Sequence, residues 1–222
     1  MKPILTLIIL CVSILFISFN TYAFTDIDTT HWAYEYVEEM STQGYLKGYE
    51  DNTFKPDNEV TREEFAQMVY NVLSNQSVSS VLHDYYDVQI DRWSYSAVQL
   101  IGDSIKETSD GYVYFYPTKP IERQEVAKVL SDVLGLQADV TKMNTPVELA
   151  ENSIDKKILY ELQNIIKFED VENINSLYYE AVYNVYNAGY MQGMTETSFS
   201  PTSSLTRAQA ATLLYRILHK DQ

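Results

Sequence analysis

Three arginines stand where arginine is electrostatically out of place. Arg62, Arg123 and Arg207 each follow a residue that can cap a helix, in Thr61-Arg62-Glu63-Glu64, Glu122-Arg123-Gln124-Glu125 and Thr206-Arg207-Ala208-Gln209. A cation in the first turn opposes the helix dipole by about 0.3–1 kcal/mol at an exposed site. Three such placements in one chain argue that the charge answers to something else. Free N–H groups at a helix start, beside a guanidinium, make a carboxylate site, because the guanidinium can engage both oxygens at once. The competing use is internal: an ion pair with Asp26, Asp87 or Asp170, or with the adjoining glutamate. Trp32 and Trp93 offer apolar faces on which a sugar ring could stack, or else pack into the core. Lys47 either assists Arg62 electrostatically or is a solvated loop lysine.

Other chemistry is poorly supplied. His31, His83 and His219 are far apart and lack metal spacing, and there is no nucleophile elbow or glycine-rich phosphate loop. Asp51-Asn52-Thr53 lacks the spaced carboxylates and turn glycine of an EF-hand. Cys11 is the single cysteine, which excludes a disulfide scaffold, a cysteine metal knuckle and a cysteine nucleophile. The reading is of a non-enzyme with no metal and no cofactor. With 16 Lys+Arg against 31 Asp+Glu, the net charge of −15 makes nucleic acid an improbable partner. At 45% hydrophobic and 13% aromatic residues the chain is too apolar for a disordered acidic tail.

The elements that position the arginines are written three times over. Phe24-Thr25-Asp26-Ile27 returns as Tyr85-Tyr86-Asp87-Val88 and Phe168-Glu169-Asp170-Val171, and Phe54-x-Pro56 as Phe115-x-Pro117 and Phe199-x-Pro201. All landmarks shift by 61 from the first copy to the second, then by 83 or 84 to the third, so one residue is inserted within the third unit. Each unit reads as helix, loop, helix, giving a mainly all-α chain. In the first, Ala33, Tyr36, Val37 and Met40 keep helical spacing up to a stop at Gly44, and a second helix follows the Thr61–Glu64 capping box with Phe65, Met68, Val69 and Val72 inward. Thr206 and Gln209 repeat the box ahead of Ala210, Leu213, Leu214 and Ile217. Glu122 is a weaker cap ahead of Val126, Val129, Leu130 and Val133. The units span 24–75, 84–136 and 168–220, and 137–167 connect the last two. Within that connection, Thr145-Pro146-Val147-Glu148 is another capping box, and Val147, Ala150, Ile154, Ile158, Leu162 and Ile165 form the stripe of a helix over 146–166. This extra helix is a packing strut or a docking face for another protein. Each unit is too small to bury a core alone, so the three are expected to unfold together.

The N-terminus addresses the chain. Lys2, an apolar run from Ile4 to Phe19 and Thr21-Tyr22-Ala23 read as a signal peptide, residues 1–23, cleaved after Ala23. Cys11 leaves with it, the mature charge becomes −16 on loss of Lys2, and no membrane span remains.

Phe24-x-Asp26-Ile27, His31-Trp32-Ala33, Gly44-Tyr45-Leu46-Lys47-Gly48-Tyr49, Phe54-x-Pro56 and Thr61-Arg62-Glu63-Glu64 resemble the S-layer homology (SLH) domain, in three tandem copies. The resemblance implies a three-pronged, pseudo-threefold arrangement at the bacterial cell wall. It also implies grooves between units that bind a secondary cell-wall polysaccharide, typically by a terminal sugar bearing a pyruvate ketal. No cargo domain is recognised, so the alternative is an adaptor that recruits another surface protein through the extra helix or the acidic surface. Departures from the pattern point to at least one degenerate groove. Ile105 and Ser109 align with Gly44 and Gly48, Leu177 stands near the place of Trp32 and Trp93, and Gln192 stands where Lys47 does. Arg62 and Arg207, behind threonine caps, are expected to matter more for wall binding than Arg123, which Glu122 can pair with.

Overall fold

A computed structural model describes residues 24–73, 83–143 and 154–220. The N-terminal segment read as a signal peptide, with Cys11, and the capping box at Thr145, with Val147 and Ala150, lie outside the described residues. Seven α-helices and one hairpin carry the described fold. The first unit holds α1 (Tyr34–Thr42) and α2 (Arg62–Leu73). The second holds α3 (Tyr95–Ile101), β1 (Glu107–Ser109), β2 (Tyr112–Tyr114) and α4 (Arg123–Val133). A connecting α5 (Ile154–Tyr160) precedes the third, with α6 (Tyr179–Asn187) and α7 (Arg207–Leu218).

The second helix of each unit begins at its expected cap. Glu64 accepts from the Thr61 N–H at 2.8 Å, Glu125 from the Glu122 N–H at 3.0 Å and Gln209 from the Thr206 N–H at 3.1 Å. The residues just before these helices meet at a hub. Val60 N–H donates to Leu205 O at 2.9 Å, Leu205 N–H to Ile121 O at 3.1 Å, and Ile121 N–H back to Val60 O at 2.9 Å. All three side chains are buried, which closes a pseudo-threefold ring. Around it α2 packs on α3, α4 on α6 and α7 on α1.

The helix N-termini interlock the units further. Arg62 and Glu63 donate their N–H groups to Lys119 O and Pro117 O of the second unit, at 2.9 and 3.0 Å. Arg123 and Gln124 donate to Ser203 O and Pro201 O of the third, and Arg207 and Ala208 to Asn58 O and Pro56 O of the first, all at 2.9 Å. The N–H groups expected to be free for an anion are therefore spent on the neighbouring loop. That loop is held by the aspartates. Asp26 accepts from Phe54 and Lys55 N–H at 2.7 Å each, Asp87 from Phe115 and Tyr116 at 2.9 and 2.7 Å, and Asp170 from Phe199 and Ser200 at 3.0 and 2.7 Å. Lys55, Tyr116 and Ser200 sit at φ of 57°, 53° and 56°, a left-handed conformation non-glycine residues seldom adopt without such support.

Two departures from threefold symmetry are structural insertions. In the second unit α3 stops early at Gly102, and Ile105 takes the buried place of Leu46 and Met191. The register by 61, which set Ile105 against Gly44, is corrected to 59 here. The two residues gained go into the β1–β2 hairpin, an element the sequence reading did not contain, which turns at Asp110-Gly111 with φ of 51° and 81°. In the third unit the extra residue falls between Val171 and Tyr179, where two 3₁₀ turns set Leu177 at the tryptophan position.

The connecting helix packs against α6 as a strut, but its stripe is shorter than expected. Ile158 and Leu162 are buried, whereas Ile154 and Ile165 are exposed. A π-turn over Glu161–Ile165, in which Ile166 N–H reaches Glu161 O at 2.9 Å, shifts the register and turns Ile165 outward.

Candidate functional site

Each guanidinium lies buried against the loop of the next unit. Arg207 donates from Nε to Phe54 O at 2.7 Å and from Nη2 to Lys47 O at 2.9 Å. Arg123 repeats this with Phe199 O at 2.9 Å and Gln192 O at 2.7 Å. The planar groups lie over the loop aromatics, Arg207 at 4.7 Å from the Phe54 ring centre and Arg123 at 5.0 Å from that of Phe199. Their partners are neutral carbonyls, and Nη1 of each makes no hydrogen bond or ion pair among the described residues. Burial pulls Arg123 down to about 10, with Asp170 acting weakly against it, and burial also lowers Arg207. Among the described residues these buried cations have no counter-ion in contact.

Arg62 is different. Its Nη1 donates to Phe115 O at 2.8 Å, but its Nη2 meets both Glu107, at 2.7 Å, and Glu125, and its Nε reaches Glu125 at 3.3 Å. Burial opposes its charge, yet Glu125 and Glu107 outweigh burial and hold its pKa above the ordinary guanidinium value. Lys119 completes the cluster at 3.1 Å from Glu107. Pairing with a glutamate, weighed for all three arginines, thus occurs at Arg62 and comes from the second unit. Glu122 instead accepts from Gln124 at 2.6 Å.

The tryptophans are not core residues. Trp32 and Trp93 are 58% and 60% exposed and stand over two equivalent grooves. Trp32 of the first unit faces Arg123 of the second across Gln192, Gly193 and Gln209 of the third, around a cavity of about 200 Å³ that Arg216 also lines. Trp93 of the second unit faces Arg207 of the third across Lys47, Glu64 and Gln67 of the first, around about 160 Å³. Lys47 therefore shares a groove with Arg207, not with Arg62. The third equivalent place carries Leu177, Arg62, Glu107 and Glu125, with Tyr178 pushed up to about 12 by burial and by Glu125. Gly48 and Gly193 have an internal reason to be glycine. A β-carbon on Gly48 would meet Thr53 O at 2.7 Å, and one on Gly193 the Phe168 ring at 2.9 Å.

The S-layer homology domain model matches residues 23–66 and 167–211, the first and third units. These two segments are S-layer homology domains. The middle unit lies outside both matched segments, and its hairpin and Glu122 cap are where it departs from the other two SLH units. The chain is similar to an endoglucanase of Bacillus sp. (strain KSM-635), with 26% identity over 91% of this chain and 20% of that protein. It is similar to a cellulosome-anchoring protein of Acetivibrio thermocellus, with 29% identity over 38% of this chain and 17% of that protein. An S-layer protein of Bacillus thuringiensis subsp. finitimus matches with 26% identity over 85% of this chain and 20% of that protein. The chain thus spans a fifth or less of these relatives, one named as an enzyme and two as surface or anchoring proteins. SLH units are wall-anchoring modules, and this is a cell-surface protein. Among the described residues no helix is long and apolar enough to cross a membrane.

Proposed function

We propose that the Trp32 and Trp93 grooves each bind an acidic terminal sugar of a secondary cell-wall polysaccharide, anchoring the protein to the wall without a covalent bond. The carrying observation is the contrast among the arginines: Arg123 and Arg207 are buried cations facing neutral carbonyls, whereas Arg62 already holds two carboxylates. A sugar carboxylate, such as that of a pyruvate ketal, supplies the missing counter-ion through Nη1, while the indole face takes the ring. The Leu177 place has its anions built in and no indole, and takes no acidic sugar. Local cations thus act inside a surface whose far field repels the polymer, and salt should ease encounter. Sedimentation with purified walls tests the reading. Binding should vanish when the polysaccharide is stripped, and its persistence on stripped walls would overturn it.

A second role has one observation behind it. Ile154 and Ile165 are exposed on the connecting segment and fit a contact with another surface protein. Capture of a surface protein that is lost in an Ile154→Ser/Ile165→Ser variant, with wall binding intact, would separate the two roles.

A further inference from the structure

The second unit carries four tyrosines that its own fold does not require. Tyr112, Tyr114 and Tyr116 alternate along and just past β2, so their side chains share one face, and Tyr86 leans on that row from the facing loop. Tyr86 lies 4.8 Å from Tyr112 and 5.4 Å from Tyr114 between ring centres, and Tyr114 stacks on Tyr116 at 5.3 Å. Tyr86 and Tyr112 are each more than half exposed. The pseudo-threefold supplies an internal control. At the places of Tyr86, Tyr114 and Tyr116 the first unit has Thr25, Thr53 and Lys55, and the third has Glu169, Ser198 and Ser200. The backbone there is the same: Tyr86 N–H donates to Val113 O at 2.9 Å, as Thr25 does to Asn52 O at 2.9 Å and Glu169 to Thr197 O at 2.8 Å. The aspartate clamp and the left-handed residue recur in all three units. The aromatics therefore answer to something outside the fold.

We propose that this tyrosine ladder is a second carbohydrate surface, for uncharged sugar rings, separate from the Trp–Arg grooves. Charge selects the ligand class. Desolvation raises the Tyr114 hydroxyl pKa, and the neighbouring phenols and then Asp87 add to it; Asp110 sits at the hairpin tip, Arg62, 6.0 Å from the Tyr116 ring centre, is held by Glu107 and Glu125, and Lys119, whose N–H donates to Tyr116 O, is held by Glu107. The two cations beside the ladder, Arg62 and Lys119, are thus already paired with carboxylates. The ladder offers ring faces for sugar C–H groups and phenol hydroxyls for sugar hydroxyls, with no aliphatic side chain among its four members. It begins beside the position whose acidic-sugar site is filled by carboxylates, so the second unit exchanges one mode of glycan contact for another.

The test uses wall polysaccharide whose carboxyl groups have been reduced to alcohols, a probe the arginine grooves cannot hold by charge. The whole chain should retain weak, salt-insensitive binding to it, and the probe should protect Tyr86 and Tyr112 from nitration by tetranitromethane. The triple variant Tyr86→Thr/Tyr114→Thr/Tyr116→Ser borrows residues that the other units already use, so its fold should stand, as a thermal melt checks. It should lose that binding at least tenfold. Absence of binding to the reduced polymer, or equal binding by the triple variant, would overturn the proposal. Protection of the tyrosines by a surface protein but not by the glycan would overturn it too.

Discussion

Replacing single arginines should separate stability from binding. Arg62→Ala strands Glu125, a carboxylate buried as deeply as the arginine itself, and losing one partner of a buried pair costs about 3–5 kcal/mol. For a domain of this size that lowers Tm by about 6–20 °C. Both Trp–Arg grooves survive, so calorimetric titration with a pyruvylated terminal disaccharide should still find two sites per chain. Arg123→Ala removes donors from Phe199 O and Gln192 O, at about 1–3 kcal/mol for each oxygen left unpaired, so this variant also loses stability. Unlike the first, it loses a charge-assisted ligand contact of about 1.5–3 kcal/mol, roughly ten- to hundredfold in Kd. The titration should then fall from two sites to one, and Arg207→Ala should do the same in the other groove. If Arg62→Ala fails to fold, Arg62→Met/Glu125→Met removes both charges and keeps the volume. Loss of a site in the Arg62 variants, or two undiminished sites in Arg123→Ala, would refute the reasoning.

Three further outcomes follow from the packing. Burial works to raise the Glu63 pKa, but Arg92, at 2.8 Å from each oxygen, and Ser94 at 2.6 Å outweigh it and hold the carboxyl below its ordinary 4.5. Its contribution is therefore complete above that value and is lost as pH falls through the depressed folded pKa, so Glu63→Gln should flatten the decline of Tm between pH 6 and pH 3. Calorimetry should show one unfolding transition with equal calorimetric and van't Hoff enthalpies, while a fragment of residues 24–73, without neighbours to accept its α2 N–H groups, should show no cooperative melt. Ile158→Asp puts a charge at a fully buried position of the strut and should lower stability by more than about 3 kcal/mol in denaturant titrations, whereas Ile154→Asp, exposed, should stay within about 0.5 kcal/mol.

The repeat, the helix pattern and the arginine positions were legible because they depend on local spacing and capping chemistry. Phe65, Val69, Val126, Leu130, Ala210 and Leu214 are buried as their periodicity requires. What each arginine touches was not legible, because its partners come from another unit, 45 to 160 residues away in the chain. The ranking of Arg62 over Arg123 rested on a pairing of Arg123 with Glu122, which in the structure accepts from Gln124 instead. It used the adjoining Glu122, while the carboxylates that matter, Glu107 and Glu125, arrive across the interface. The hairpin was missed because matching landmarks on both sides concealed two compensating shifts. Glu107 did carry a signal: it is an acid in a loop where the first and third units have Gly48 and Gly193.

The mixed parentage of the grooves bears on how such a chain can change over time. The second unit has filled the pocket beside its own loop with carboxylates, which would make it expendable if each unit served only itself. It does not, for it lends Trp93 to one neighbour's groove and Arg123 to the other's. Deleting it would silence both remaining sites at once, and duplicating any single unit would yield no new site until two others were recruited around it. Decay of one pocket is therefore survivable, whereas loss of the unit that decayed is not.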